Sequence, residues 1–425
     1  MRPLLWLAVC AGSLSSLVIL SITNPVSPLQ PMTDWIVAEV RAAAVFFVPS
    51  ITVGELNDTY RSAAPSPLVA AEKVRVLIVP GHQPQKGGTE FNGIYERDIV
   101  VDIADALAAL LLQNPHYEVT VARSKSAWNP VLQTYFDTHV LEIDTFRQSQ
   151  AAQMADRIAD GSILPQADQI YHTTTSSEAA LQLYGINKWA SDNQYDIALH
   201  LHLNDYAGRR RVTEDSYTGF AIYVPNRQYS NAEASHAIGE AIAVRLNAYH
   251  ATSTLPREDV GVVEDMELIA IGSNNSVDAA AMLIEYGYIY EPQFHDASVR
   301  MLAVQEYAFE TYLGLQDFFK DPTPSMYGSS AFPYDWSGVE AKKGERGPGV
   351  YALQSALRSL GHYPPKGRTF SDCPISGKVG PCTTASIREY QTAKGISATG
   401  IIGPRTREAL EQDTRTANPS TLTLR

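Results

Sequence analysis

Between residues 73 and 320, continuous apolar runs alternate with stretches of helical periodicity. "KVRVLIVP" reads as a buried strand ending in a turn, and "YEVTVARS" as a second. "YDIALHLHLN", "TGFAIYVP" and "AAMLIEYGYI" read as three more. "ERDIVVDIADALAALLLQN" carries Ile99, Ile103, Leu107 and Leu110/Leu111 at helical spacing, and "HAIGEAIAVRLNAY" and "VRMLAVQEYAFETYLGLQDFF" are further helices. Strands alternating with helices predict an α/β domain whose mostly parallel sheet is flanked by helices. Residues 125–190 break the alternation: polar and partly helical, they read as an insertion, a lid or regulatory element over a groove. Residues 26–72, with "RSAAPSPLVAAE", predict a neck, and the Pro/Gly/Ser-rich segment 321–343 a linker. Residues 344–413 then predict a small all-α module with Tyr363, Tyr390 and Ile401 in its core, followed by a tail, 414–425.

Charge divides the chain in the same place. The 425 residues carry a formal net charge of -13, which argues against a general nucleic-acid binder. Residues 341–410 nevertheless hold 11 Lys/Arg against 4 Asp/Glu, leaving 22 against 42 elsewhere. A basic module thus follows an acidic body. At the other end, Leu4–Ile22 has no charged residue and follows Arg2, long enough for a membrane span of about 20 residues. Residues 1–25 are expected to be a signal anchor or signal peptide, with Cys10 an ordinary residue of the span, so the remainder is exported. Export makes a local disulfide the expected state of Cys373 and Cys382 in "DCPISGKVGPC".

Candidate chemistry collects at the carboxyl ends of the strands, where parallel α/β sheets place their sites. His82 follows the first strand, in "IVPGHQPQKGG", and Glu96 opens the next helix. His202 lies near the end of "ALHLHLN", and Glu285 ends "AAMLIE", where a charge is otherwise costly. Two histidines and a carboxylate are a common three-ligand set for catalytic zinc, and a second carboxylate nearby serves as proton acceptor. Taken singly, each has a plainer role: a hydrogen-bonded loop histidine, a helix-dipole glutamate, or the first exposed residue of a strand.

The residues resemble the zinc N-acetylmuramoyl-L-alanine amidases, which cut between muramic acid and the peptide stem. That family has a strand followed by P-G-H, a helix-initial Glu, V-x-x-T-R, a strand ending S-I-H-x-N, and a late V-E-x-G-F/Y. Here the corresponding segments are "VPGH", "YERD", "VTVARS" with Arg123, "LHLHLN" with His202 and Asn204, and "LIEYGYI" with Glu285 and Gly287. The resemblance spans residues 74 to about 318 and implies Zn2+ held by His82, Glu96 and His202, with Glu285 the catalytic carboxylate of an amide hydrolase. Glu90, in the "KGGTEFNG" loop, ranks behind Glu96 as ligand because no helix starts after it. His200 takes the family's serine position and is expected behind the ligands, with Asn204 and Arg123 there or at the substrate. Gln83 replaces the usual glycine, Ala122 the usual threonine, and the 125–194 stretch is much longer than the family's link.

Residues 344–411, with "LQSALRSLG", "REYQ" and "GISATGIIGPRT", resemble the three-helix peptidoglycan-binding domain. Together the two resemblances imply an extracytoplasmic, membrane-anchored wall hydrolase. A zinc carboxypeptidase of the stem is the alternative hydrolase, disfavoured because Glu96 follows His82 by fourteen positions rather than in H-x-x-E. A non-catalytic wall tether is the alternative to an enzyme.

Overall fold

The sheet grows outward from its first strand. In the computed structural model, which describes residues 50–63, 72–166, 170, 175–206, 209–210, 217–271, 278–321 and 334–417, the run Val74–Pro80 is strand β1. The expected signal anchor lies outside the described residues, as does most of the tail. No helix among the described residues is long and apolar enough to cross a membrane. β1 pairs in parallel with β4 (Tyr117–Val121) on one side and with β5 (Ile197–Asn204) on the other, and β5 pairs in parallel with β8 (Ala280–Tyr288). β6 (Ala221–Pro225) then runs antiparallel to β8, and β7 (Val262–Asp265) parallel to β6, completing the order β4-β1-β5-β8-β6-β7. The short pair β2 (Glu90–Phe91) and β3 (Ile94–Tyr95) stands apart from this sheet.

Alternation along each strand supplies two cores. Val76, Ile78, Leu199, Leu201, Met282 and Ile284 face one way, into the main hydrophobic cluster. Helices α2 (Glu96–Leu111), α6 (Ala232–Leu246) and α7 (Ala297–Phe319), counted in chain order, contribute to that same cluster. Leu77 and Val79 face the other way, against Leu132, Phe136, Ile186 and Trp189 of the inserted helices α3 (Pro130–Thr138) and α5 (Ser177–Asp192). The longest inserted helix, α4 (Val140–Ala159), adds Ile143. The stretch expected as a lid or regulatory element forms a structural layer of the second sheet face. Without its apolar residues, that face of β1 would meet water.

The expected neck contains a built-in element. Residues Val53–Ser62 form helix α1, started by a Thr52/Glu55 capping box, with Leu56 and Tyr60 one turn apart and buried. Tyr60 stacks on Phe319 at 4.2 Å and donates to Gln316 Oε1 at 2.8 Å. The main core therefore begins upstream of residue 73.

The C-terminal helices α8 (Pro348–Ser359), α9 (Pro381–Ala393) and α10 (Pro404–Ala417) enclose Tyr351, Leu353, Ile387 and Leu410. Tyr363 and Tyr390 are buried as expected, but Ile401 is 48% exposed and its neighbour Ile402 fills the core instead. The turn after Gly400 (φ 76°) sets which of the two isoleucines points inward. Cys373 and Cys382 are joined as a disulfide. This module packs on the larger one: Tyr249 Oη meets Ser359 Oγ at 2.8 Å, Arg358 Nε donates to Ala248 O, and Gly377 lies against Val299.

Helices α6 and α7 approach closely at Gly314, where a Cβ would stand 2.5 Å from Ile242 Cα. Gly314→Ala is expected to force the helices apart and cost about 1–3 kcal/mol. A lowered midpoint in thermal unfolding checks this.

Candidate metal centre

The centre forms where β1, β5 and the start of α2 meet. After β1 the chain turns at Gly81 and places His82 in left-handed backbone conformation (φ 68°), uncommon for a residue with a side chain. Gly81 permits the closest approach, since a Cβ there would lie 2.3 Å from the His202 ring. Gly88 (φ 81°) does the same for His82, its absent Cβ lying 2.9 Å from Cδ2. Both glycines leave room for side chains from other elements to converge.

Those side chains are His82, Glu96 and His202, whose potential ligand atoms all lie within 4.8 Å of one another. His202 Nδ1 is 3.0 Å from Glu96 Oε1. His82 Nε2 is 2.8 Å from the same oxygen, yet is not aligned as a hydrogen bond and has no other partner among the described residues. A buried carboxylate oxygen shared by two imidazole nitrogens, one of them misaligned, suits a cation-binding donor set. Burial alone would raise the Glu96 pKa, but the two imidazoles outweigh it and hold the group well below the usual carboxylate range. Glu96 is further fixed by the N–H of Thr89 at 2.8 Å and of Leu203 at 3.1 Å. Glu90 is not part of this cluster.

Glu285 is the register partner of His202 on the neighbouring strand, so the two share a face. Its Oε2 is buried, with no hydrogen-bond partner among the described residues. Burial, then the charges of Glu96, Glu258 and Asp205, push its pKa well above the usual range. His200 lies on the same face one pleat back, 1% exposed, with neither ring nitrogen hydrogen-bonded among the described residues. Burial and the neighbouring His202 lower its pKa to about 3, so its ring is a neutral packing element. Arg123 does not face a groove. It is buried and donates to the carbonyls of Pro80 (3.0 Å), Gly81 and Arg97 (3.0 Å), tying the His82 turn to the start of α2. The insertion reaches the same turn from outside, through Gln83 Nε2 to Gln182 Oε1 (2.6 Å) and Lys86 Nζ to Glu178 Oε2 (2.7 Å).

Two participants carried no sequence signal strong enough to find them. Thr89 acts through its backbone. Glu258, in the loop "LPREDV", is buried and receives Asn204 Nδ2 at 2.8 and 3.0 Å and Tyr223 Oη at 2.5 Å. Only its flanking charges, Arg257 and Asp259, stand out in the sequence, and they suggest a solvated loop.

On this mostly parallel α/β fold, two histidines and a carboxylate converge at the strand ends as a donor set able to hold a metal ion. The N-acetylmuramoyl-L-alanine amidase family model matches residues 76–298, more than half of the chain, and the chain belongs to that family. A peptidoglycan binding domain model matches residues 346–410. Among curated proteins, the chain is 40% identical over 73 residues to the zinc D-Ala-D-Ala carboxypeptidase of Streptomyces albus G, covering 17% of this chain and 26% of that one. It is 35% identical over 95 residues to the N-acetylmuramoyl-L-alanine amidase CwlL of Bacillus licheniformis, covering 22% and 26%. The chain thus spans about a quarter of the length of the curated relatives it matches. Two solved structures share low similarity. One is the CwlD amidase of Clostridioides difficile in complex with the GerS lipoprotein (TM-score 0.37, 16% identity, 58% of this chain and 98% of that one). The other is the Ami1 amidase of Mycobacterium smegmatis (TM-score 0.37, 12% identity, 58% and 97%).

Gly81→Ala is expected to push the His202 ring out of the cluster. Calorimetric titration of the metal-free protein with zinc should then show at least a tenfold loss of affinity, with far-UV circular dichroism unchanged.

Proposed function

We propose that the protein hydrolyses the amide bond between N-acetylmuramic acid and L-alanine of peptidoglycan. The observation that carries this reading is the convergence of His82, Glu96 and His202 beside Glu285 in a chain of the amidase family. In this reading the three ligands hold zinc, which when bound supplies Lewis-acid polarisation and acidifies water. Leu203 and Thr89 N–H groups keep the Glu96 carboxylate oriented toward the two imidazoles. Glu285 Oε2, buried and unpartnered, is the atom that takes the proton from the attacking water and returns it to the departing L-alanine nitrogen. Burial and the neighbouring acidic charges favour its protonated form, the form that donates to the departing nitrogen. Arg123 holds the His82 turn and takes no part in the proton transfer.

The C-terminal module then holds the polymer. Its basic balance suits an anionic wall, and the family model it matches is a peptidoglycan-binding one. Action lies outside the cytoplasm, where peptidoglycan is. Anchoring through Leu4–Ile22 is part of the same reading, and its support is the sequence alone.

Incubation of the full-length protein in detergent with purified peptidoglycan should release new L-alanine amino groups without new reducing sugar ends. A chelator should stop the release, and added zinc restore it. Glu285→Gln should lower the rate by a factor of about 10²–10⁴ while leaving zinc stoichiometry at the wild-type value. Activity that survives chelation, or an active Glu285→Gln protein, would sink this mechanism.

A further inference from the structure

Glu258 lies outside every motif named above, yet its carboxylate is 1% exposed and fully engaged. It accepts from Asn204 Nδ2 through both oxygens (3.0 and 2.8 Å), from Tyr223 Oη at 2.5 Å and from Tyr288 Oη at 3.1 Å. The residue before it, Arg257, is held at φ 78°, a conformation that a non-glycine side chain adopts only when its surroundings impose it. The chain accepts local strain to bring this carboxylate under the site.

The chemistry of the pair fixes an orientation. A carboxylate only accepts hydrogen bonds, whereas an amide has one donating and one accepting end. With Nδ2 held at Glu258, the Asn204 Oδ1 must face away, and among the described residues it has no hydrogen-bond partner. Asn204 sits two residues beyond His202, where the β5–β8 register slips between His202 and Asn204. The extra residue lies on β8, which takes three steps from Glu285 to Tyr288 against two on β5, so Asn204 keeps the face of His202.

We propose that Glu258 is a positioning residue that locks the Asn204 amide so that Oδ1 accepts an N–H of the substrate's peptide stem. This inference rests on the amidase reading and adds a reason for peptide specificity. Buried polar groups set to meet a substrate N–H also reject ligands that lack it.

The test exchanges donor and acceptor, with a soluble muramoyl peptide as probe and the full-length protein. Glu258→Gln lets the Asn204 amide turn over, so KM should rise about tenfold, the effect of one lost hydrogen bond. Asn204→Asp sets two carboxylates against each other and should lose more. In the combined Asn204→Asp, Glu258→Gln protein, the amide at position 258 can donate to the carboxylate at 204, whose other oxygen faces the site. KM should then return to within about threefold of wild type. A KM unchanged by Glu258→Gln, with only the melting midpoint lowered, would make Glu258 merely structural. A combined variant no better than Glu258→Gln alone would equally overturn the inference; this comparison holds even if Asn204→Asp alone does not fold. Both outcomes leave the amidase reading standing. A wild-type protein that releases no peptide from the probe removes that reading and the inference with it.

Discussion

A carboxylate taken out of water costs several kcal/mol unless charge and hydrogen bonds replace its hydration. Glu96 is buried at the start of a helix, and much of the site can be traced to meeting that cost. The helix N-terminus favours its charge. Thr89 and Leu203 supply backbone N–H groups, and His82 and His202 supply two imidazoles on one oxygen. Each of those partners makes a further demand. His202 needs a glycine at 81, His82 needs an unusual backbone angle and a glycine at 88, and Arg123 must hold the turn between them.

The sheet distributes these demands across two faces. One face is sealed by α2, α6 and α7 as an ordinary hydrophobic layer. The other carries His200, His202 and Glu285, in line with Ala198 and Leu283, and is covered next to β1 by the inserted helices. The insertion therefore has two jobs that sequence patterning cannot separate. It closes a core over Leu77 and Val79, and through Gln182 and Glu178 it touches the turn bearing His82.

The sequence made the strands and long helices legible because their periodicities are strong, as in α2 with Ile99, Ile103 and Leu107. It hid α1, whose single turn of buried Leu56 and Tyr60 sits beside proline-rich sequence. It also hid β7, too short to show alternation. The reversal of β6 was invisible because strand direction depends on the connection rather than on the residues paired. In the site, His82, Glu96, His202 and Glu285 were legible as polar residues at strand and helix ends. Glu258 was not, since what distinguishes it is three donors brought from distant strands. Arg123 could be seen but not its direction, which follows from carbonyls exposed by a turn.

The contact between the two modules has a mechanical meaning. Arg358 and Ser359 grip the end of α6 while Gly377 rests on α7, so the basic module is a bracket on the body. The offset and angle between the two modules are thus set by side-chain packing rather than by the length of residues 322–333.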